Sequence, residues 1–151
     1  MNDEKNILYM STALNLAQTA YKAEEVPIGC VIVLEDKVIG CGYNRRNSGK
    51  NALHHAEMLA ISEACTYMGD WRLEGCVLYV TVEPCAMCAG AIVNSRIPTV
   101  VYGCANPKAG CAGSILDVLN EPRFNHRATV ISGVMEEECA RLMSEFFAKK
   151  R

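Results

Sequence analysis

The stretch "CVLYVTVEPCAMCAGAIVNS", residues 76–95, runs from a plain strand into a short helix. "CVLYVTV" is a near-continuous apolar run, the pattern of a strand buried on both faces of a sheet. "CAMCAGAIVNS" reads as a helix that Pro84 starts, because a first-turn N–H has no helical partner to lose. A buried strand beside a helix is the unit of a layered α/β protein, and the flanking sequence repeats that alternation.

Upstream, Ile7, Met10, Leu14, Ala17 and Tyr21 recur at helical spacing and predict an amphipathic helix over about residues 3–22. "VPIGCVIVLEDKVIGCGYN" reads as two β-branched strands joined by a tight turn at Glu35-Asp36-Lys37. A polar loop, "RRNSGKN", follows, and the good helix formers of "AEMLAISEACTYM" predict a helix from Ala56 to about Met68. Downstream, "TVVYG" is a strand, "CANPKAGCAGS" an irregular loop, "ILDVL" a helical segment and "ATVISGV" a last short strand. Glu136 to Lys149 closes the chain as a helix with Cys139, Leu142, Met143 and Phe146 on one side. The order α-β-β-α-β-α-β-α-β-α predicts one domain over residues 1–151, with helices on both faces of a mixed five-stranded sheet. The first two strands should be antiparallel, and the later ones, joined through helices, parallel.

The chain of 151 residues carries a net charge of −2, so nucleic-acid binding falls to local basic clusters. No apolar run is long enough to span a bilayer, and "MNDEKN" is no secretory signal. A cytoplasmic protein without a membrane partner is expected. Nine cysteines, an odd count without a signal peptide, argue against a disulfide framework. Cys30, Cys41 and Cys76 lie in strand-like runs, where a free cysteine packs as a small hydrophobe. Cys65, Cys104, Cys111 and Cys139 show no spacing signal and take the same reading.

Cys85 and Cys88 differ. Three residues apart at a helix start, they share one face, and the positive end of the helix favours thiolate over thiol. The pair alone fits a redox centre, a structural zinc site or a catalytic one. A third ligand must come from His54, His55 or His126. In "HHAE", His55 stands two residues before Glu57, at another helix start; in a regular helix the two would point apart, but in a first turn both can reach one site. Three protein ligands with an open fourth position is the catalytic arrangement of zinc. Glu57 then serves as the proton carrier beside the bound water. A lone His-x-Glu is usually a surface helix start, and a lone Cys-x-x-Cys is as often redox or structural. Their joint occurrence points to a zinc enzyme.

H-A-E followed by P-C-A-M-C resembles the signature of the zinc nucleobase deaminases. "EVPIGCVIV" at 25–33, "GYNRR" at 42–46, "LYVTVEPCAMCAGAIVNSRI" at 78–97, "AGCAGS" at 109–114, "NHR" at 125–127 and "EFF" at 145–147 extend the likeness over nearly the whole chain. The family it resembles is the bacterial tRNA-specific adenosine deaminases. That resemblance implies a cytidine-deaminase-like three-layer α/β/α sandwich that hydrolyses adenosine to inosine at the wobble position of a tRNA anticodon. It implies one Zn2+ per subunit on His55, Cys85 and Cys88, with Glu57 moving the proton, and no small organic cofactor. It implies a homodimer whose two subunits both contact the tRNA anticodon stem-loop.

Asn44 matches the family asparagine that touches the target nucleotide; without the resemblance it reads as a turn asparagine. Pro84, Asn106 and Lys108 are further candidate substrate contacts. So are Asn125, His126 and Arg127, although His126 on spacing alone reads as a core or surface histidine. Phe146 and Phe147 cannot both face the core, which leaves Phe147 as a candidate contact. Arg45, Arg46, Lys50, Arg123 and Lys149-Lys150-Arg151 are candidates for a basic rim. One position departs from the family, which often has aspartate where this chain has Asn106, and this bears on the preference for RNA over DNA.

Two other readings compete. A deaminase of a free base or nucleotide, such as guanine or deoxycytidylate, would carry the same zinc shell. Free cytidine deaminases, however, typically have cysteine where this chain has His55, and free-nucleotide enzymes lack the "NHR" segment. A zinc-stabilised binding module would have no use for Glu57.

Overall fold

The computed structural model describes residues 3–150. The elements are α1 (Asp3–Lys22), β1 (Gly29–Leu34), β2 (Lys37–Tyr43), α2 (Ala56–Met68), β3 (Val77–Val82), α3 (Ala86–Asn94), β4 (Thr99–Cys104), β5 (Thr129–Ile131) and α4 (Glu136–Lys149). The strands form one mixed sheet in the order β2-β1-β3-β4-β5. β1 is antiparallel to both its neighbours, and β3, β4 and β5 run parallel. The architecture is the mixed five-stranded α/β fold that the sequence order predicts.

Period-two alternation divides the strands between two cores. Cys30, Ile32, Leu78, Val80 and Val100 share a cluster with Ala56 and Ala60 of α2 and Ala89 and Ile92 of α3. Val31, Val33, Tyr79 and Val101 share the other with Tyr9, Met10 and Leu14 of α1 and Cys139 of α4. β3 sits at the centre of the sheet and is buried on both sides, which is why its sequence is apolar without alternation.

Helix α2 lies unusually close to the sheet. Ala56, Ala60 and Ala64, spaced four apart, are fully buried and face Gly40 and Gly42 of β2. A Cβ at Gly42 would fall 2.6 Å from the Ala56 carbonyl oxygen, and one at Gly40 would fall 2.3 Å from that of Ala60. Two glycines on one side and three alanines on the other let backbone meet backbone, and this seam fixes where α2 begins.

Three local expectations change. Glu35 and Asp36, with φ of 49° and 63°, make a two-residue hairpin turn, and Lys37 already pairs with Leu34. Neither residue is a glycine; the turn is held by the Tyr9 hydroxyl donating to the Asp36 carbonyl and by Lys5 at 2.8 Å from the Asp36 carboxylate. Pro84 does not start α3: Cys85 is its N-cap, and Pro84 stands one residue earlier. "ILDVL" reduces to a short 3-10 turn at Val118–Asn120, because Ile115 and Leu116 stay exposed and bury no helical face. Among the described residues, no helix is long and apolar enough to cross a membrane.

Candidate active site

The pairings of Gly29 with Tyr43 and of Cys30 with Val80 bring the start of β1 and the ends of β2 and β3 to one edge of the sheet. Both helices of one layer begin there. His55 is the N-cap of α2, in extended backbone at φ −76° and ψ 155°. It stands outside the helical twist, so Glu57, the second helical residue, can share its side. Cys85 caps α3 in the same extended conformation, and Cys88 lies in the first turn. Neither His55 nor Cys85 spends its side chain on capping its helix.

The His55 Nδ1 atom lies 3.6 Å from Cys85 Sγ and 3.6 Å from Cys88 Sγ. All three donor atoms lie within 4.8 Å of one another. Tetrahedral angles at zinc, with bonds of about 2.3 Å to sulfur and 2.0–2.1 Å to nitrogen, place S and N about 3.6 Å apart. Two soft sulfurs and one imidazole, preset at that spacing, fit zinc.

The electrostatics match a site built for a cation. The Cys88 thiol donates to Cys85, which holds the Cys85 thiol pKa down at about 3. The same hydrogen bond, with burial, pushes Cys88 up. Burial raises Glu57 from 4.5 to about 7 against the pull of its own backbone N–H; the neighbouring Cys85 adds to the rise, and His55 opposes it. A carboxyl poised near neutrality can both take and give a proton.

Around this cluster, Asn44 is buried and anchored at both ends of its amide. Its Nδ2 donates to the Val26 carbonyl at 3.2 Å and its Oδ1 accepts from the Arg46 N–H at 3.1 Å. This is the turn role, with one donor and one lone pair to spare. Pro84 is buried beside Cys85, and its carbonyl accepts the Cys111 N–H at 2.8 Å. Asn106 is half-buried and Lys108 exposed, both on the loop 105–114 that leaves β4 at this same edge. Phe146 is core, edge-on to Tyr21 with ring centroids 5.9 Å apart, whereas Phe147 is 44% exposed.

Asn125, His126 and Arg127 are not brought to the donors. They precede β5, whose Thr129 pairs with Thr99 at the opposite end of β4, and the His126 Nε2–H donates to the Ile97 carbonyl at 2.7 Å. The basic candidates divide likewise. Arg45, Arg46, Lys50 and Lys108 lie in the loops at the edge where the three donors meet, Arg123 and Arg127 flank the other, and Arg151 lies outside the described residues.

Sequence reasoning passed over two buried acids. Glu83 accepts the N–H groups of Asn106, Ala112 and Ser114, each at 3.0 Å, and the Ser114 hydroxyl. Glu25 accepts those of Asn47 at 3.1 Å and Ser48 at 2.6 Å. Burial alone would raise their pKa values, but the donated hydrogen bonds outweigh it and both lie below 4.5. The available signal was a carboxylate between an apolar strand and a proline, in "TVEPC", and another two residues before a proline, in "EVP".

The MafB19-like deaminase family matches residues 2–151. The tRNA-specific adenosine deaminase of Bacillus subtilis (strain 168) is 51% identical over 144 residues, 95% of this chain and 89% of that protein. A structure from biochemical and structural studies of A-to-I editing by tRNA:A34 deaminases at the wobble position of transfer RNA superposes with a TM-score of 0.86. It is 41% identical and covers 89% of this chain and 97% of that one. The guanine deaminase of Nitrosomonas europaea, at 24% identity and a TM-score of 0.79 over 94% of this chain and 84% of its own, shares the fold alone. With its His-Cys-Cys cluster and buried glutamate in place, the chain belongs to the MafB19-like deaminase family and, within it, to the tRNA-specific adenosine deaminases.

Proposed function

We propose that this single domain converts adenosine to inosine by hydrolysis at the wobble position of a tRNA anticodon, as a cytoplasmic homodimer with one zinc ion per subunit. The observation that carries the reading is the preset donor triangle of His55, Cys85 and Cys88 beside the buried Glu57. Zinc bound there supplies Lewis-acid activation of water. Glu57 would carry one proton of that water to the ring nitrogen next to C6 as the oxygen bonds to C6, and would carry the remaining proton, from the hydroxyl then on C6, to the amino group that leaves as ammonia. Its burial beside the three donors keeps bulk water from competing for that proton.

Asn44 and the loops 44–55 and 105–114 frame the approach to the donors, and Arg45, Arg46, Lys50 and Lys108 supply local positive charge on a chain of net charge −2. Asn125, His126 and Arg127 lie at the far edge of their own subunit. In this reading they meet RNA held mainly by the partner, which is one reason to expect a homodimer.

The test is incubation of the zinc-loaded protein with a tRNA that carries a wobble adenosine, followed by quantitation of inosine. Conversion is expected. Turnover of guanine or deoxycytidylate, with none of the tRNA, would replace this reading with that of a free-base or free-nucleotide deaminase.

A further inference from the structure

The loop 105–114 carries Lys108 at the apex of a tight turn. The Asn106 carbonyl accepts the Gly110 N–H at 2.7 Å, which closes the turn around Lys108. Both feet of the loop rest on one buried carboxylate. Glu83, 2% exposed, takes the Asn106 N–H on one side and the Ala112 and Ser114 N–H groups on the other, each at 3.0 Å. The Ser114 hydroxyl adds a fourth donor. Gly110 packs so tightly here that a Cβ would fall 2.4–2.5 Å from the carboxyl atoms. Glu83 directly follows β3 and stands two residues before Cys85. One side chain therefore ties the loop to the strand that delivers the thiolates.

Four donors converging on one charge hold the backbone in a single arrangement. Loss of that charge leaves buried N–H groups without partners, which is the costly half of a hydrogen bond. Packing alone would not need a carboxylate at this position.

We infer that Glu83 is a positioning residue for substrate recognition. It fixes the loop 105–114 at the metal edge so that Lys108 and Asn106 meet the backbone of the bound strand. The inference rests on the proposal that the substrate is a tRNA.

The test compares zinc-loaded wild type, Glu83→Gln, Ser114→Ala, Lys108→Ala and the Glu83→Gln/Lys108→Ala double variant on an anticodon stem-loop with a wobble adenosine. Glu83→Gln should raise KM about tenfold, the loss of one charge-assisted hydrogen bond, with a much smaller change in kcat and full zinc content. Ser114→Ala should move KM the same way by about threefold, and it keeps the inference testable if the glutamine variant folds poorly. Lys108→Ala should weaken binding in the wild-type background and add little in Glu83→Gln, because the loop no longer holds the lysine in place. The dependence of KM on salt should flatten in Glu83→Gln by about one phosphate contact, which a general loss of stability would not produce.

An active wild type with unchanged KM in both Glu83→Gln and Ser114→Ala overturns the inference alone. So does full additivity with Lys108→Ala, or a defect that tracks lost zinc. A wild type inert on the stem-loop overturns the functional proposal and this inference with it.

Discussion

Helices α2 and α3 begin alike and are placed differently. Each starts with a candidate metal donor as an extended N-cap whose side chain makes no capping hydrogen bond. α3 follows β3 across only Glu83, Pro84 and Cys85, so the cysteine pair is set by the central strand of the sheet. α2 follows the long loop 44–55, so His55 and Glu57 are set by packing: the alanine–glycine seam beneath the helix and the anchored loop before it. One half of the site is placed by its covalent neighbours, and the other by contacts made across the fold.

The comparison is broken most severely by removing a donor. Cys88→Ala or His55→Ala should lower zinc affinity by more than about 100-fold, read by metal analysis after dialysis, whereas His54→Ala should keep the metal. Glu57→Gln separates metal from chemistry: zinc content should stay full while turnover, read as inosine formed, falls by about 10²–10⁴-fold.

Gly42→Ala strikes the packing-dependent half alone. The added Cβ would meet the Ala56 carbonyl oxygen at 2.6 Å and Leu59 Cβ at 2.8 Å. A destabilisation of about 1–3 kcal/mol is expected in thermal melts. Because α2 must shift to make room, turnover should fall further than Gly90→Ala causes on α3, where an added Cβ meets nothing within 4 Å.

The smallest effect belongs to the loop anchor. The native pKa of Glu25 lies below 4.5, so its contribution is complete above that value and fades as pH falls through the depressed one. Glu25→Gln should therefore cost most stability near neutral pH, and the wild-type advantage should vanish in acid melts.

The same contrast explains what was legible in the sequence. The apolar run of β3, the first turn of α3 and the amphipathic α4 are local patterns, and they read through to the structure. "HHAE" reads as a candidate donor and proton carrier, and the fold sets His55 Nδ1 beside the two cysteine sulfurs and buries Glu57. Glu25 and Glu83 were not legible. Their partners are backbone N–H groups 22–31 residues away in sequence, and backbone groups carry no residue signature. The turn at Glu35-Asp36 is one residue shorter than the sequence suggests, because its two positive φ angles fall on residues that are not glycine. Pro84 stands one residue before the N-cap of α3 because strand exit and helix entry meet there.

The spacing of the three donors has a consequence for folding. His55 stands 30 residues from Cys85 and 33 from Cys88 in the chain. An ion held by all three would close a covalent-like ring through the α2/α3 layer and restrict the unfolded chain as a cross-link does, an effect on the order of 3–4 kcal/mol for loops of this length. The amount of folded protein would then follow the free zinc of its surroundings. Metal would act as a folding ligand as well as a reagent, and starvation for it would reduce the lifetime of the protein along with its turnover.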